Sequence, residues 1–428
     1  MTDQSIIEYT LKQLKKQGAD KYSCSLSNSQ KQELNIEHGE MSLFRTTYNS
    51  SLSIEAFVDK KKGSSSINKT DKDSINDTVN KVIELSKSSK PDDCYGIAEH
   101  QSSQTFSCGS KQVDLDLMYD SLSNFNEYVK NKFPKIILEA AILDFTRINT
   151  FLGNSNGIDF KINKGLYNFG PMFTAKEGKD TSSFNYTGFC TKDIIKPLHK
   201  YGTIEQLLKE TEEQIKTSPV KNKFVGDIIV TPDCLGDFLS MLESYISDIM
   251  IISGRSVYKD KLEKSIANNK LTLHSHPLSD RLDANYFVTG DGYVCDNSTI
   301  IDKGVLKTLL LGIYGANKTG EKRSVNGGGA HIVEPGDKSL KDIISSTDKG
   351  VLLSRFSGGY PSDNGDFSGV AKNSYYIENG EIKYPISETM VSGNICQMLH
   401  DIKDISKETI NFGDSIYPWI QFSGITIS

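Results

Sequence analysis

Two histidines placed two positions apart are the first residues in this sequence whose spacing suggests chemistry. His274 and His276 stand in "LTLHSHP", residues 271–277, which reads as a strand. Side chains two apart on a strand point to the same face, about 6.5 Å apart along the chain, and Asp280 or Asp283 could complete a metal site. A zinc site needs a third and usually a fourth ligand. The spacing therefore predicts hydrogen-bonded histidines at a strand end or, as an alternative, a metal-dependent hydrolase.

A run of three glycines is the second candidate. Gly327, Gly328 and Gly329 stand in "NGGGAH", which ends at His331. A phosphate-binding loop would continue into a helix through Lys and Ser or Thr, and the following "IVEPGD" breaks such a helix. Glycine lets another backbone approach closely. We therefore interpret these four residues, with the two histidines above, as candidates for a groove that binds a peptide.

The composition describes a globular protein without a nucleic-acid surface. A chain of 428 residues, 37% of them hydrophobic, is long enough for two or three domains. The 49 basic and 55 acidic residues leave a net charge of -6, which provides no footprint for wrapping nucleic acid. Seven scattered cysteines, none spaced as CxxC, predict reduced thiols. No leader and no membrane span is predicted, so we expect a soluble cytoplasmic protein.

Hydrophobic periodicity predicts an α+β domain over residues 1–220, in which helices pack against an antiparallel sheet. Helical spacing occurs at 5–17, about 70–89, 114–131 and 203–217. Alternating segments predict at least three antiparallel strands and then a hairpin of long strands that turns at 154–157. The segment 88–110 lacks periodicity, so we expect a surface connection there. The polar segment 218–223 is the predicted domain boundary.

Residues 221–428 predict a second, β-rich domain. An apolar strand leads into one long helix that we expect from Pro232 to about Ile252. Short strands and glycine turns follow, and the Asn-Gly pair in "ENGE", residues 378–381, indicates a tight hairpin. We therefore expect a barrel-like or curved-sheet C-terminal domain after the N-terminal sheet with its packed helices.

Four ordered motifs in the second half resemble the PmbA/TldD family of metallopeptidases, formerly labelled modulators of DNA gyrase. The motifs are "SGRSVYKDKL", "LTLHSHP", "IIDKGVLKTLLLGIYGANKTG" and "GDFSGVAKNSYYIENGEIKYPISETMVSGNICQML". The resemblance covers the whole chain, more weakly over the first 220 residues. It is closer to the PmbA branch, also called TldE, than to TldD.

The resemblance implies that this chain lacks the zinc site of the family. TldD-type members are similar to zinc peptidases with HExxxH in the helix after the first strand of the C-terminal domain and a cysteine ligand near the C-terminus. Those helix positions fall approximately at Ser240, Met241 and Tyr245, and no cysteine stands at 411–414. Serine, methionine and neutral tyrosine are poor zinc ligands, and no carboxylate at Met241 could activate water. We therefore expect no catalytic residue, metal or cofactor in this chain, with zinc only in a TldD-like partner.

The resulting prediction is a zinc-free subunit of a PmbA/TldD-type metallopeptidase, inactive alone, that shapes a peptide-binding chamber. The family implies a TldD-like zinc subunit as partner and an extended, unfolded or leader peptide as substrate. We expect a homodimer when the partner is absent, because related surfaces form isologous contacts. Two alternatives remain: an independent metal-dependent hydrolase using His274 and His276, and a gyrase- or DNA-associated regulator. The net charge of -6 disfavours direct DNA contact.

Overall fold

Two large β-sheets with helices packed against them organise the chain. The computed structural model describes all residues, 1–428. Strands from the first half form a nine-stranded sheet, and strands from the second half form a thirteen-stranded sheet. The predicted α+β class is confirmed.

The first sheet is built from long strands. The elements of this part are α1 (Asp3–Lys16), β1 (Lys21–Glu37), β2 (Glu40–Val58), β3 (Lys61–Ile67), α2 (Lys72–Ser88), β4 (Gln104–Gly109), α3 (Leu115–Lys132), β5 (Ile136–Asn154), β6 (Asp159–Glu177), β7 (Asp180–Thr181), β8 (Asn185–Tyr186), β9 (Phe189–Thr191), a 3-10 turn (Leu198–Lys200) and α4 (Ile204–Glu213). The strand order is β3-β2-β1-β5-β6-β4, with β7, β8 and β9 on β6. Every pair is antiparallel except β4 with β6.

Alternation along the strands directs apolar side chains to one face of this sheet, where the helices pack. Leu26 of β1 lies opposite Leu52 of β2, and both are fully buried. They join a core with α1 and α2 that includes Leu14 and Val82. Each fully buried side chain of this size stabilises the fold by about 1.5–3 kcal/mol. Helix α2 begins where the Asp71 carboxylate accepts a hydrogen bond from the Ser74 backbone N–H, 2.9 Å away.

The second half forms the larger sheet. Its elements are β10 (Phe224–Val230), α5 (Pro232–Tyr245), α6 (Asp248–Ile252), β11 (Leu273–Ser275), β12 (Ser298–Asp302), β13 (Val305–Leu306), α7 (Ile313–Thr319), β14 (His331–Val333), α8 (Leu340–Ser345), β15 (Lys349–Leu353), β16 (Arg355–Gly358), β17 (Asp366–Lys372), β18 (Tyr375–Glu378), β19 (Glu381–Pro385), β20 (Thr389–Asn394), α9 (Ile395–His400), β21 (Ile402–Asn411) and β22 (Ile416–Ile427). The main path runs β13-β12-β11-β14-β22-β10-β15-β18-β19. The sheet is open, so the barrel-like alternative is wrong.

Helix α5 packs its apolar stripe into the core of the second sheet. Leu235, Leu239 and Leu242 are buried there with Ile228 and Val230 of β10. The spacing of three and four residues places the three leucines on one face of the helix. No helix of the structure is both long and apolar enough to cross a membrane.

Two expectations about secondary structure are wrong. The segment 88–110 contains a strand, β4, which pairs in parallel with β6. Its sequence "QTFSCG" is short and mostly polar, so it shows no alternation of apolar and polar residues that would indicate a strand. The single helix expected from Pro232 to Ile252 is two helices, because α5 ends at Tyr245 and α6 begins after Ser247. The backbone of Ser247 is extended, which interrupts the helix although the apolar spacing continues.

The contact between α2 and β3 generates a prediction about stability. A Cβ added at Gly63 would overlap the Val82 carbonyl oxygen and would lie 2.5 Å from the Ser86 backbone nitrogen, so α2 would have to move. We expect Gly63→Ala to lower the free energy of unfolding by about 1–3 kcal/mol, measured by urea denaturation. The matched control is Gly170→Ala in β6, where a Cβ meets nothing within 4 Å. Equal effects of the two substitutions would contradict this packing.

Candidate functional site

A cleft of about 700 Å³ separates the first sheet from the loops of the second half. One wall is the face of β1, β2 and β3 that points away from the helices, and the other wall comes from segments around Thr289–Gly292, Leu310–Tyr314 and Arg323–Gly327. A concave surface of this volume is the default position for a binding site.

Serine hydroxyls dominate the sheet wall of the cleft. Because side chains alternate along a strand, the residues between the buried ones face the cleft: Ser23 and Ser25 of β1, Ser53 and Glu55 of β2, and Lys62, Ser64 and Ser66 of β3. Glu55 and Lys62 form an ion pair with each other. The register places Ser25 opposite Ser53 and Ser53 opposite Ser66, with 2.9 Å between the last two hydroxyl oxygens. A serine hydroxyl both donates and accepts hydrogen bonds. The wall can therefore pair with the N–H and C=O groups of a peptide whatever its side chains are.

The opposite wall holds a paired arginine and aspartate. Arg323 donates to both carboxylate oxygens of Asp291, at 2.9 and 2.7 Å, and its guanidinium lies 3.9 Å from the centre of the Tyr293 ring. Burial pushes the pKa of Asp291 upward, but hydrogen bonds from Arg323 and Thr289 outweigh burial and hold that pKa below its ordinary value. The pair orders the loop and adds no net charge to the cleft.

Asp248, the first residue of α6, is a carboxylate in the cleft without a cation beside it. It forms no ion pair, and its Oδ1 accepts a hydrogen bond from the Gly312 backbone N–H at 3.2 Å. Burial raises the pKa of Asp248 above its ordinary value. A positively charged group that entered the cleft would relieve this unfavourable burial. Neither the serine wall nor Asp248 was predicted from the sequence, although the alternate serines of "YSCSLS" and "KGSSSI" carried a signal for the wall.

The loop that contains Gly327, Gly328 and Gly329, called the glycine loop below, forms the edge of the cleft beside Asn326. Gly328 and Gly329 have φ of +80° and +64°, the left-handed region that favours glycine. The Tyr286 hydroxyl donates to the Gly328 carbonyl oxygen at 2.6 Å and accepts from the Gly327 backbone N–H at 3.1 Å. Gly327 itself is exposed, lines the cleft, and has open space where a Cβ would be.

Glu243 of α5 holds this loop from below. Its Oε1 accepts a hydrogen bond from the Gly329 backbone N–H at 2.9 Å and lies 2.7 Å from Nε2 of His331. A carboxylate only accepts hydrogen bonds, so Nε2 carries the proton. The other ring nitrogen, Nδ1, lies 3.0 Å from the Tyr417 hydroxyl. Burial raises the pKa of Tyr417, so its hydroxyl keeps its proton.

His274 and His276 do not join this group. Ser275 lies opposite His331 in the register of β11 and β14, so the two flanking histidines point to the other face of the sheet. Their rings stack with 4.4 Å between centres, and His274 contacts Thr299 at 2.9 Å and Glu334 at 3.4 Å.

The two aspartates expected beside the histidines lie elsewhere. Asp280 is exposed, and the Asp283 carboxylate lies 3.8 Å from the Lys192 ammonium. No three His, Cys, Asp or Glu side chains of the protein converge as metal ligands would. The carboxylate beside the histidine pair is Glu334, which the sequence did not indicate.

The side chains at the α5 positions expected to correspond to zinc ligands make contacts within the protein. The Ser240 hydroxyl donates to the Gly236 carbonyl oxygen of its own helix at 2.9 Å, and Met241 is buried in the core. The Tyr245 hydroxyl donates to the Ser362 carbonyl oxygen at 2.5 Å. These three side chains do not fit a zinc ion, because none of them offers a free imidazole, thiolate or carboxylate.

A cysteine from the first half of the chain contacts the segment 411–414. Cys190 of β9 donates its backbone N–H to the Phe412 carbonyl oxygen, and its sulfur lies 3.7 Å from the same oxygen. Burial raises the pKa of Cys190 to about 12. The group is therefore a protonated thiol, and zinc binds the thiolate form.

Two family models match the chain. The model described as PmbA/TldA metallopeptidase domain 1 matches residues 22–86, and the PmbA/TldA metallopeptidase C-terminal domain matches residues 224–428. Together they cover more than half of the chain.

Individual relatives are similar over different lengths. The metalloprotease PmbA of Escherichia coli O157:H7 is 23% identical over 426 residues, which cover 91% of this chain and 89% of that protein. A metalloprotease PmbA homolog of Buchnera aphidicola subsp. Baizongia pistaciae is 30% identical over 198 residues, and there the match spans 43% of this chain and only 44% of the relative.

Solved structures share the fold over the full length. TldE from Thermococcus kodakarensis superposes with a TM-score of 0.87 at 19% identity, covering 99% of this chain and 100% of that one. A candidate modulator of DNA gyrase from Bacteroides thetaiotaomicron superposes with a TM-score of 0.89 at 21% identity, covering 100% and 98%. At such identities the likeness shows the fold alone.

The stacked histidines generate a prediction about pH. Burial lowers the pKa of His274 and of His276, and the neighbouring imidazole adds to the effect on His276. The unfolded chain, with histidine pKa near 6.5, therefore takes up protons first as the pH falls. We expect the free energy of unfolding to decrease from about pH 7.5 to about pH 5.5, and the double variant His274→Gln, His276→Gln to show a shallower decrease in urea denaturation. An unchanged slope would contradict the assignment.

Proposed function

We propose that this chain, which belongs to the PmbA/TldD metallopeptidase family, is a zinc-free subunit that binds an extended peptide for a zinc-bearing, TldD-like partner. The family resemblance predicted from the four motifs is confirmed by the two family models. The partner supplies the zinc and the activated water, and this chain shapes the chamber. The substrate is an unfolded or leader peptide, and the chain pairs with itself when the partner is absent.

The contacts of α5 carry this proposal. Ser240, Met241 and Tyr245 face their own helix, the core and a backbone carbonyl, respectively. The carboxylate of this helix nearest to those positions, Glu243, already accepts from the glycine loop and His331. A zinc peptidase needs three protein ligands and a base for its water. These side chains are committed to holding the fold, which supports a role in binding.

The cleft supports peptide binding with little dependence on sequence. The serine wall offers hydroxyls to the backbone of an extended chain, and Gly327 lets that chain approach closely. Asp248 adds one uncompensated carboxylate, which favours a peptide that brings an ammonium or guanidinium group into the cleft. The seven cysteines form no disulfide, which fits a reducing compartment, and we place this function in the cytoplasm.

Two other functions are supported less well. An independent metal hydrolase would use His274 and His276 as metal ligands. The observation in its favour is that the Glu334 carboxylate lies beside this stacked pair. It is tested by metal analysis, in which a stoichiometric ion lost from the His274→Ala, His276→Ala variant would favour it. The hypothesis of a gyrase- or DNA-associated regulator is based only on the description of a structurally similar protein. The net charge of -6 disfavours direct contact with DNA.

Reconstitution tests the proposed function. The chain is purified alone and with a TldD-like partner carrying HExxxH, and cleavage of an unfolded peptide is measured with and without a chelator. We expect no cleavage by the chain alone and chelator-sensitive cleavage by the pair, because the partner holds the zinc. Cleavage by the chain alone that resists the chelator would overturn the proposal.

A substitution at the cleft edge tests where the peptide binds. Gly327→Leu directs a side chain into the cleft without backbone strain, and its Cβ meets no atom within 4 Å. We expect roughly tenfold weaker binding of a labelled unfolded peptide, measured by fluorescence anisotropy, with an unchanged melting temperature. The matched control is Gly359→Leu, an exposed glycine outside the cleft with equally open surroundings. Wild-type affinity in the Gly327→Leu variant would place the peptide elsewhere.

A further inference from the structure

A second cavity lies on the same face of the first sheet as the cleft, and its volume is about 440 Å³. Lys31 of β1 and Asp144 of β5 line it from the sheet, and Phe412 and Asp414, between β21 and β22, line it from the second half of the chain. Ser25 lines the cleft, and it stands six positions before Lys31 on the same strand. The two side chains therefore share one face of the sheet and lie about 20 Å apart.

Polar side chains connect the cleft with the second cavity. Two serines of β1, Ser27 and Ser29, lie between the two cavities on this face of the sheet. Ser51 of β2 and Thr150 of β5 flank Ser27 in the strand register, and Asn49 of β2 lies opposite Ser29. None of these five residues, called the polar track below, is buried. Their hydroxyl and amide groups can hydrogen-bond to a peptide backbone along the whole distance.

The charged side chains that line the cleft leave one carboxylate without a cation. Glu55 is paired with Lys62, and Asp291 is paired with Arg323. The remaining charged residue of the lining is Asp248, which forms no ion pair. The cleft therefore has one uncompensated negative charge, and it lies at Asp248.

The sheet side of the second cavity is electrically balanced. The Lys31 ammonium lies 3.4 Å from the Asp144 carboxylate and 3.1 Å from that of Glu33. Glu33 is also 2.6 Å from the Arg45 guanidinium. Two cations and two carboxylates thus form one network, which adds no net charge to the cavity.

Asp414, on the other side of the second cavity, has no such partner. It is exposed and forms no ion pair, and its Oδ1 accepts a hydrogen bond from the Ser415 hydroxyl at 2.8 Å. Burial raises the pKa of Cys190 to about 12, so this thiol, which also lines the cavity, adds no charge. The second cavity therefore repeats the arrangement of the cleft, with one uncompensated carboxylate.

The apolar part of the second cavity fits the stem of a long basic side chain. Phe412, Phe189 and Ile142 line it. Lysine and arginine pack their methylene groups on such surface while the charged end contacts a polar group, and a cation is also attracted to the face of an aromatic ring. Gly170 lines the cavity without a side chain, and a Cβ there would meet nothing within 4 Å.

We propose that the cleft, the polar track and the second cavity form one site for an extended peptide with two basic residues about six positions apart, which contact Asp248 and Asp414. The inference rests on the peptide binding of the proposed function and names the class of peptide. An extended chain advances about 3.3 Å per residue, so six residues span the distance of about 20 Å between the cavities. An even spacing directs both basic side chains to one side of the peptide. This agrees with the position of both carboxylates in the second half of the chain, opposite the sheet.

Peptides that differ only in the spacing of two lysines test the inference. Two labelled, unfolded peptides have the same composition, with the lysines six positions apart in one and three positions apart in the other. In a third peptide, glutamine replaces one lysine. We expect the peptide with the longer spacing to bind about tenfold more tightly than either of the others in fluorescence anisotropy, because only this peptide contacts both carboxylates. Equal affinities for the two spacings would overturn the inference.

Neutral substitutions test the two carboxylates. Asp248→Asn and Asp414→Asn remove the charge but keep an oxygen that accepts the hydrogen bonds from Gly312 and Ser415. We expect each variant to bind the peptide with the longer spacing about tenfold more weakly and no better than the peptide with one lysine, because one charged contact remains. The matched control, Asp260→Asn, removes an exposed carboxylate outside both cavities and keeps the wild-type affinity. An Asp414→Asn variant that still prefers the longer spacing would contradict the proposed contact.

A larger side chain in the second cavity tests the path of the peptide. Gly170→Leu directs a side chain into this cavity from the sheet, and its Cβ meets no atom within 4 Å. We expect the variant to lose the preference for the longer spacing and to bind the peptide with one lysine within about twofold of the wild-type affinity, because the cleft stays open. Gly359→Leu, at an exposed glycine outside both cavities, keeps the preference. An unchanged preference in Gly170→Leu would place the second basic residue elsewhere.

Cleavage in the presence of the TldD-like partner separates this inference from the proposed function. Chelator-sensitive cleavage by the pair, together with equal binding of the two lysine spacings, removes only the inference about the peptide. Binding that follows the lysine spacing, without cleavage by the pair, removes only the proposed function.

Discussion

The structure of the candidate site depends on one carboxylate, that of Glu243. It accepts a hydrogen bond from the loop at Gly329 and contacts His331, which in turn contacts Tyr417 on β22. The three contacts join α5, the glycine loop and the second sheet at one point. A buried carboxylate is costly unless it is hydrogen-bonded, so these partners are necessary as well as favourable. Both contacts of this carboxylate use Oε1, which ties α5 to the glycine loop and to β14.

The first sheet has one apolar face and one polar face, and the alternation of its strands produces both. On one face Leu26 and Leu52 bury apolar area against α1 and α2 and stabilise the domain. On the other face Ser25 and Ser53 present small hydroxyls to the cleft. A change of register by one residue would exchange the faces, so the hydrophobic core also fixes the chemistry of the cleft wall.

Periodicity and turn chemistry were sufficient for much of the fold. They indicated α3, capped by Asp114, the hairpin of β5 and β6, and the tight turn between β18 and β19. They failed at β4, where pairing with β6 rather than composition decides the strand, and at Ser247, where the backbone leaves the helix within an unbroken apolar pattern. In both places contacts distant in sequence override the local signal. The division into two domains at residue 220 stays a prediction.

The sequence by itself determined the family, the α+β class and the residue types at Ser240, Met241 and Tyr245, because ordered motifs and identities are local properties of the chain. Tertiary structure alone decided which residues meet. It separated His274 and His276 from His331 by placing them on opposite faces of one sheet, and it brought Glu243 beneath Gly329, 86 residues away. It also left Glu40–Ser51 of β2 with a neighbouring strand on one side only, since β3 pairs with no more than Leu52–Val58. Such proximities depend on strand register and on packing between elements, which no short stretch of sequence contains.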